Sequence, residues 1–509
     1  MTGGARRGDL AILAGVAALR LALHLTTAQG YGIFRDELYY LACASHLDFG
    51  YVDHPPLSIA VLAGWRTLFG DGLAALRFLP AVAGSATVFL TGLIARELGG
   101  GRAAQILAAL AAFFAPFFLA ISHFYSMNAF DLVFWTALEL LAVRILVRQE
   151  PRLWLWFGAI AGLGLENKYS VAFLAFGLIV GLALSAQRRQ LRAPQLWIGG
   201  AIAAALFAPH LVWEAVNGAP SLEFIRNATA GKIQPVTPLG FLGGQLVLLH
   251  PLYAPLWVGG LAALLFSRRL ERIRALGIAY LAVLALMVWQ QAKVIYLAPI
   301  YPVLFAAGAV ASEDLCARRS WRRAPAAASV AVALTGIAIL PLALPVLPPH
   351  VFLSYSHALG VSEPQTERSA RGALPQLYAD MFGWRELAEE VAAVWRALPE
   401  EDRAHAAIVG GNYGEAGAID YFGPALGLPH AISPHNAYFM WGPGDWDGRV
   451  AITIGEPPPA IAALFASVEK RGQRSCELCM PYERDLPIYV VRDLKVPVPE
   501  LWARIKRFI

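Results

Sequence analysis

The stretch 31–57, YGIFRDELYYLACASHLDFGYVDHPPL, decides how the rest of this chain is read. It sets ionisable residues between two segments apolar enough to lie in a membrane, with Asp36 and Glu37 near its start and Asp53 and His54 near its end. Pro55 and Pro56 disfavour helical geometry at His54, so the second acidic cluster is expected on an extended turn. Between the clusters, ELYYLACASHL predicts a short helix on the membrane surface, with Tyr39 and Tyr40 one turn from the acids.

Composition agrees with a membrane location for the flanks. Hydrophobic residues make up 57% of the chain and charged residues 15%, against roughly 45–50% and about 25% in ordinary soluble domains. A soluble protein built this way would expose too much apolar surface. The net charge of +5 is small, and no basic stripe interleaved with aromatics points to nucleic acid.

Outward from the acidic stretch, the first apolar run covers 10–28, enough to cross a hydrocarbon core of ~30 Å at about 1.5 Å per residue. It is too long for the apolar core of a cleavable signal peptide. Arg20 and His24 interrupt it on one face, either snorkelling or turned toward neighbouring helices. Further runs at 74–95, 103–122, 129–147, 153–166, 169–186, 195–213, 239–266, 275–290, 294–311 and 324–345 bring the expected spans to about eleven. Arginines at 6 and 7, 96 and 102, 148 and 152, 188 to 192, 268 to 274 and 318 to 323 then share one side, which the positive-inside rule makes cytoplasmic. The loop 29–73, the Glu166–Lys168 turn, the 214–238 loop and Lys293 fall on the other. The expected organisation is a mainly α, polytopic membrane domain over 1–345, N-terminus in the cytoplasm of a cell (plasma or inner) membrane, followed by an extracytoplasmic α/β domain over 346–509.

In that second part, AAIVGGNY, RVAITIGE and LPIYVVRDL read as strands, and GWRELAEEVAAVWRAL and PPPAIAALFASVEKRG as amphipathic helices. Gly410-Gly411 follows a strand but lacks the remaining glycines and lysine of a phosphate loop, and reads as a tight turn. Cys476 and Cys479 form a CELC pair suited to a structural disulfide or to two free thiols, with no second pair to complete a zinc site. Cys43 and Cys316 read as isolated, inert residues.

The pair Asp36-Glu37, then Tyr39-Tyr40, then GYVDHPPL resembles the first extracytoplasmic loop of the protein-mannosyltransferase and aminoarabinose-transferase type of membrane glycosyltransferase, the bacterial family-39 branch of the GT-C fold. The resemblance covers roughly residues 10–310. It implies a GT-C fold, a polyprenyl-phosphate sugar donor, transfer with inversion, and a catalytic role for the first acid of the pair, Asp36. It also makes Asp131, in SMNAFDLVFW, similar to the second acidic position of the family, and Lys293 and Tyr296 similar to a lysine and tyrosine facing the lipid phosphate. The aminoarabinose transferases carry lysine where this chain has His54, which puts a phosphate-binding role for His54 in doubt.

The residue types fit that chemistry. Moving a sugar off a lipid phosphate needs a base for the acceptor, cations for the departing phosphate and exclusion of water. Asp36 is the candidate base, the alternative being that it only caps the helix after it. Glu37 accompanies it, either in catalysis or by orienting the loop. Tyr39, Asp53, His54, Asp131, Glu166, Lys168, Arg226, Lys293 and Tyr296 are candidates for holding donor or acceptor. Lys168 would either meet a phosphate or pair with a carboxylate, and the 213–238 loop carrying Arg226 is either a lid or a passive connector. His210 and Glu214, four apart, form either a local pair or part of a cavity wall.

No cofactor is demanded. A divalent metal at Asp53 and His54 stays open, although two adjacent ligands make no site alone. Asp36, Asp53, Asp131, Lys168 and Lys293 are expected to line one external cavity. The partners implied are a polyprenyl-phosphate sugar, a lipid, polysaccharide or protein acceptor, and membrane lipids. The rival class is a polytopic transporter or flippase of a lipid-linked or small polar substrate, against which stands the absence of paired, glycine-broken segments in two corresponding halves.

Overall fold

Each apolar run folds as helix, because in a non-aqueous surrounding a helix satisfies its own backbone donors and acceptors. The computed structural model describes residues 3–360 and 367–509. Two compact units divide the chain: Met1–Gln29, Gly72–Val212 and Gln234–Leu347 form the first, and Gly30–Asp71, Trp213–Ile233 and Pro348–Ile509 the second. The acidic stretch and the 213–233 segment belong to the second unit, with Pro348–Ile509.

The first unit is helical. Among the described residues, six helices are long and apolar enough to cross a membrane, or up to eight if each of two bent helix pairs is one span. The remaining runs expected as spans are helices too, shorter or carrying more charge, such as Met127–Arg148 and Leu153–Asn167. The 103–122 run is broken into Arg102–Phe114 and Pro116–Ile121, since Pro116 has no amide to continue the ladder. Arg20, fully buried, covers the break by donating to the Phe113 carbonyl and, at 2.6 Å, to that of Phe118. It faces its neighbours rather than snorkelling.

Elsewhere glycine sets the spacing. A Cβ on Gly260, in Ala254–Phe266, would come within 2.0 Å of the Leu304 carbonyl oxygen, and one on Gly308 within 1.9 Å of that of Leu256. This is the small-residue contact that lets membrane helices approach closely.

The second unit carries a five-stranded sheet of β1 (Ala406–Val409), β2 (Ala431–Ile432), β3 (Val450–Ile454), β4 (Phe465–Ser475) and β5 (Asp485–Leu494), in the order β2-β1-β3-β5-β4. β1 runs parallel to β2 and β3, while β5 runs antiparallel to β3 and β4. All three strand readings, as β1, β3 and β5, and the helix Trp384–Ala397 appear as expected. PPPAIAALFASVEKRG does not. Only Pro459–Ala462 is helical there, and Phe465–Ser475 is the edge strand β4. Its apolar residues fit a helical period, but one side of its backbone pairs with β5 along its length, and Glu469, Lys470 and Arg471 give it the charged character of a protected edge. Cys476 and Cys479 form a disulfide, and Cys43 and Cys316 are free.

Candidate active site

Arg35–Ala44 is the short helix expected after the first acids. Phe34 precedes it, and Glu37, fully buried, turns its Oε2 back to accept the Phe34 amide at 2.8 Å. The capping considered for Asp36 is therefore done by Glu37. Asp36 faces away, its side chain one-third (33%) exposed. Its Oδ1 accepts from the Tyr413 hydroxyl at 2.9 Å and lies 3.6 Å from Arg35 Nε. Its Oδ2 has no hydrogen bond among the described residues.

Arg35 organises the surroundings. Its Nη1 donates to the Tyr482 hydroxyl at 2.7 Å and lies 3.4 Å from Asp380 Oδ2. Burial works against its charge, but Asp380, Tyr413, Tyr482 and Asp36 together hold the guanidinium well above its ordinary value. Burial pushes the Asp380 carboxyl up to about 6, with Arg35 opposing. Tyr413 is raised as well, chiefly by burial, so it stays a proton donor to Asp36.

The second acidic cluster sits on a turn, as its prolines imply. The Tyr39 hydroxyl donates to Asp53 Oδ1 at 2.8 Å and accepts from the Ala437 amide at 3.2 Å. Burial raises the Asp53 carboxyl, and neighbouring His54 works the other way. His54 is 1% exposed, stacked on Tyr40 at 4.8 Å between ring centres and tilted against Tyr51 at 5.0 Å. Its Nδ1 faces the Pro55 carbonyl at 3.1 Å, and its Nε2 lies 4.0 Å from Asp53. His54 is packed among aromatic rings, and no cluster of three or more His, Cys, Asp or Glu occurs among the described residues. Tyr39 also stacks on Tyr413, with centres 4.5 Å apart, joining the two acidic clusters through one aromatic pair.

The first unit gathers a separate group. Asp131, 1% exposed, accepts from the Ser170 hydroxyl and lies 3.4 Å from Lys168 Nζ. Lys168 also donates to Asn128 Oδ1 at 2.7 Å and sits 5.3 Å from the centre of the Tyr296 ring. A carboxylate that would be costly against lipid is thus buried and paired. Glu166 is half-buried at the end of Leu153–Asn167, and Lys293 precedes the turn Val294–Ile300. His210 meets the Tyr169 hydroxyl at 2.6 Å, while Glu214, in the second unit, accepts from Ser221.

In the second unit the 213–233 segment is partly helical, and Arg226 is exposed on the helix Pro220–Asn227. Asp36 and Asp53 belong to the second unit, and Asp131, Lys168 and Lys293 to the first. Tyr413, Asp380 and Tyr482 are the residues that sequence reading missed. Each is more than 300 positions from Asp36, and no local pattern marks it.

A family model described as Dolichyl-phosphate-mannose-protein mannosyltransferase matches residues 53–213, a span that begins at Asp53 and leaves out Asp36. No curated protein matches the chain in sequence. Among solved structures, ArnT from Cupriavidus metallidurans in the apo state matches with TM-score 0.63 at 15% identity over 96% of this chain and 99% of that one. The same protein bound to undecaprenyl phosphate matches with TM-score 0.61 at 14% identity, covering 95% and 98%. An Archaeoglobus fulgidus oligosaccharyltransferase tethered to an acceptor peptide matches with TM-score 0.53 at 13% identity, over 84% of this chain and 63% of that one. The fold is that of the GT-C membrane glycosyltransferases. Within that class the chain resembles the protein-mannosyltransferase and ArnT branches, as the motif at 36–57 implied.

Proposed function

We propose that this protein transfers a sugar from a polyprenyl-phosphate donor to a lipid, polysaccharide or protein acceptor on the extracytoplasmic face of the cell membrane, with Asp36 as general base. One observation carries the reading. Asp36 holds one oxygen in a hydrogen bond from Tyr413 while the other is open and the side chain is one-third exposed. A base needs that combination: fixed in direction, yet able to reach a hydroxyl within hydrogen-bond distance.

In a single displacement at the anomeric carbon, Asp36 takes the acceptor's proton as the new bond forms, and the configuration inverts. Arg35, held charged, lies 3.6 Å from the Asp36 carboxylate. The departing lipid phosphate is assigned to Lys168 and Lys293, with Tyr296 beneath Lys168; the cocrystal of the similar ArnT with undecaprenyl phosphate supports a donor of that type. Asp53, Tyr39 and Glu37 order the loop, and Arg226, exposed on its helix, is offered to the substrate. The arginine-rich loops support a cytoplasmic N-terminus and an external C-terminal part.

Purified protein incubated with a panel of radiolabelled polyprenyl-phosphate sugars and cell-envelope acceptors tests this. Label should pass to an acceptor. Flux of an unchanged lipid-linked sugar across proteoliposomes, without transfer, would replace the enzyme by a flippase.

A further inference from the structure

The second unit contains a cavity of about 760 Å³ at the carboxyl ends of its three parallel strands. Residues 409–412 line it at and just beyond the end of β1, Pro434 and His435 beyond β2, and 453–456 at and just beyond the end of β3. β1 and β3 are neighbours, and the chain leaves β1 toward β2 at one edge and β3 toward β4 at the other, the crevice in which α/β sheets take ligands. The volume falls within the ~300–1,000 Å³ of small-molecule sites.

Its lining is cationic. Arg35, Lys232, Arg368, Arg504 and Arg507 contribute, against three side-chain carboxylates, Glu367, Glu415 and Glu456. Lys232 lies 3.9 Å from Glu367, and Arg504 is matched by Glu500. Arg368 and Arg507 enter no ion pair among the described residues. Glu415 adds little negative charge, because burial and then the neighbouring Glu483 push its carboxyl well up. His435 is pulled down to about 3 by burial, which leaves it neutral. Thr453 Oγ1, shielded from solvent at the end of β3, has no hydrogen-bond partner among the described residues.

The helix N-terminus after Gly410-Gly411 is not where an anion sits. Glu415 Oε2 already accepts the Gly411 amide at 2.6 Å, and the Asn412 side chain accepts those of Gly414 and Glu415. Charge in the cavity is therefore met by side chains. Aromatic faces are present as well in Tyr413 and Tyr482. Two lining residues, Arg35 and Tyr413, are also the two polar partners of Asp36.

We propose that this cavity binds an anionic saccharide, a sugar bearing a carboxylate or phosphate, and presents it toward Asp36 past Arg35 and Tyr413. Arg368 and Arg507 take the charge, and the tyrosines and Thr453 take the ring and its hydroxyls. The inference deepens the reading of Asp36 as base and rests on it for the direction of presentation, but not for binding itself.

Calorimetric titration of the full-length protein in detergent with glucuronate, glucose 6-phosphate, glucose and inorganic phosphate tests it. At least one anionic sugar should bind saturably, and at least tenfold more tightly than glucose or phosphate. The double variant Arg368→Glu/Arg507→Glu should weaken that binding by about ten- to a hundredfold, the loss expected when charge-assisted hydrogen bonds are removed. A control with the same charge change on other exposed arginines, Arg396→Glu/Arg471→Glu, should stay within about twofold, and both variants should keep the wild-type Tm to show that they fold. Glucuronate and glucose 6-phosphate distinguish a carboxylate from a phosphate ligand. Absence of saturable binding, equal binding of glucose or bare phosphate, or equal loss in the control would overturn the site. Asp36→Asn should still bind the sugar; if that variant also still transfers, the proposed base falls while the binding site stands.

Discussion

The Tyr413 hydroxyl donates to Asp36 Oδ1 at 2.9 Å across 377 positions of sequence. It makes the candidate base depend on a residue from the α/β part of the chain, and it gives a graded pair of variants. Asp36→Asn keeps the shape and loses the base, so transfer should fall by about 10²–10⁴-fold with folding and donor binding retained. Tyr413→Phe keeps the ring stacked on Tyr39 and loses only the hydrogen bond, so a smaller fall, about tenfold, is expected. Turnover with a lipid-linked donor reads both. Asp36→Asn retaining more than about a tenth of wild-type activity would pass the question to Asp53.

Glu37 should behave differently from its neighbour. Its side chain accepts the Phe34 amide at 2.8 Å and is fully buried, so Glu37→Ala should lower stability by about 1 kcal/mol, as for a lost cap, while Glu37→Gln, whose amide oxygen can still accept that N–H, should cost less stability and have a smaller effect on turnover than Asp36→Asn. A loss of turnover equal to that of Asp36→Asn at unchanged Tm would show that Glu37 takes part in the chemistry.

Lys168 has a structural partner and a proposed substrate, and two variants separate them. Lys168→Met leaves Asp131 buried beside Ser170 without its cation and should destabilise by ~3 kcal/mol. Adding Asp131→Asn should recover much of that stability. Affinity for a polyprenyl phosphate should stay low in the double variant if Lys168 meets the phosphate. Recovery of affinity along with stability would make Lys168 a structural ion only.

Burial raises the Asp380 carboxyl from 3.8 to about 6. The folded protein then keeps a proton that the unfolded chain gives up between about pH 4 and 6, so stability falls as pH rises through that window and is level above it. The full effect is at most roughly 3 kcal/mol, and Asp53, Glu415 and Glu483 are shifted in the same direction. Tm measured from pH 4 to 7 should decline in the wild type and decline less in Asp380→Asn. Identical slopes would remove Asp380 as a contributor.

The orientation in the membrane is open to direct labelling. A cysteine introduced at Gly372 should react with an impermeant reagent in intact cells and one at Arg189 should not, because arginine-rich loops are retained in the cytoplasm. The reverse pattern would invert the topology.

Much of this protein could be read from the chain itself. Every apolar run became helix, the helix after Phe34 and the turn at Pro55-Pro56 appeared where local geometry placed them, and three strands matched their apolar runs. These features depend on neighbours a few residues apart, whose periodicity and backbone restrictions act before any tertiary contact. The edge strand Phe465–Ser475 shows where that ends. Its residues suit a helix as well as a strand, and only pairing with Asp485–Leu494 selects between them.

The sequence by itself determined the helical framework, its membrane character and the acids and lysines that merit attention. Tertiary structure alone decided what those groups touch: that Tyr413 and Arg35 hold Asp36, that Lys168 is shared by Asp131 and the Tyr296 ring, and that His54 is enclosed by Tyr40 and Tyr51. The physical reason is distance along the chain. A hydrogen bond spanning 377 positions leaves no periodicity, no cap and no spacing to read, because its geometry exists only once the backbone between its partners has folded.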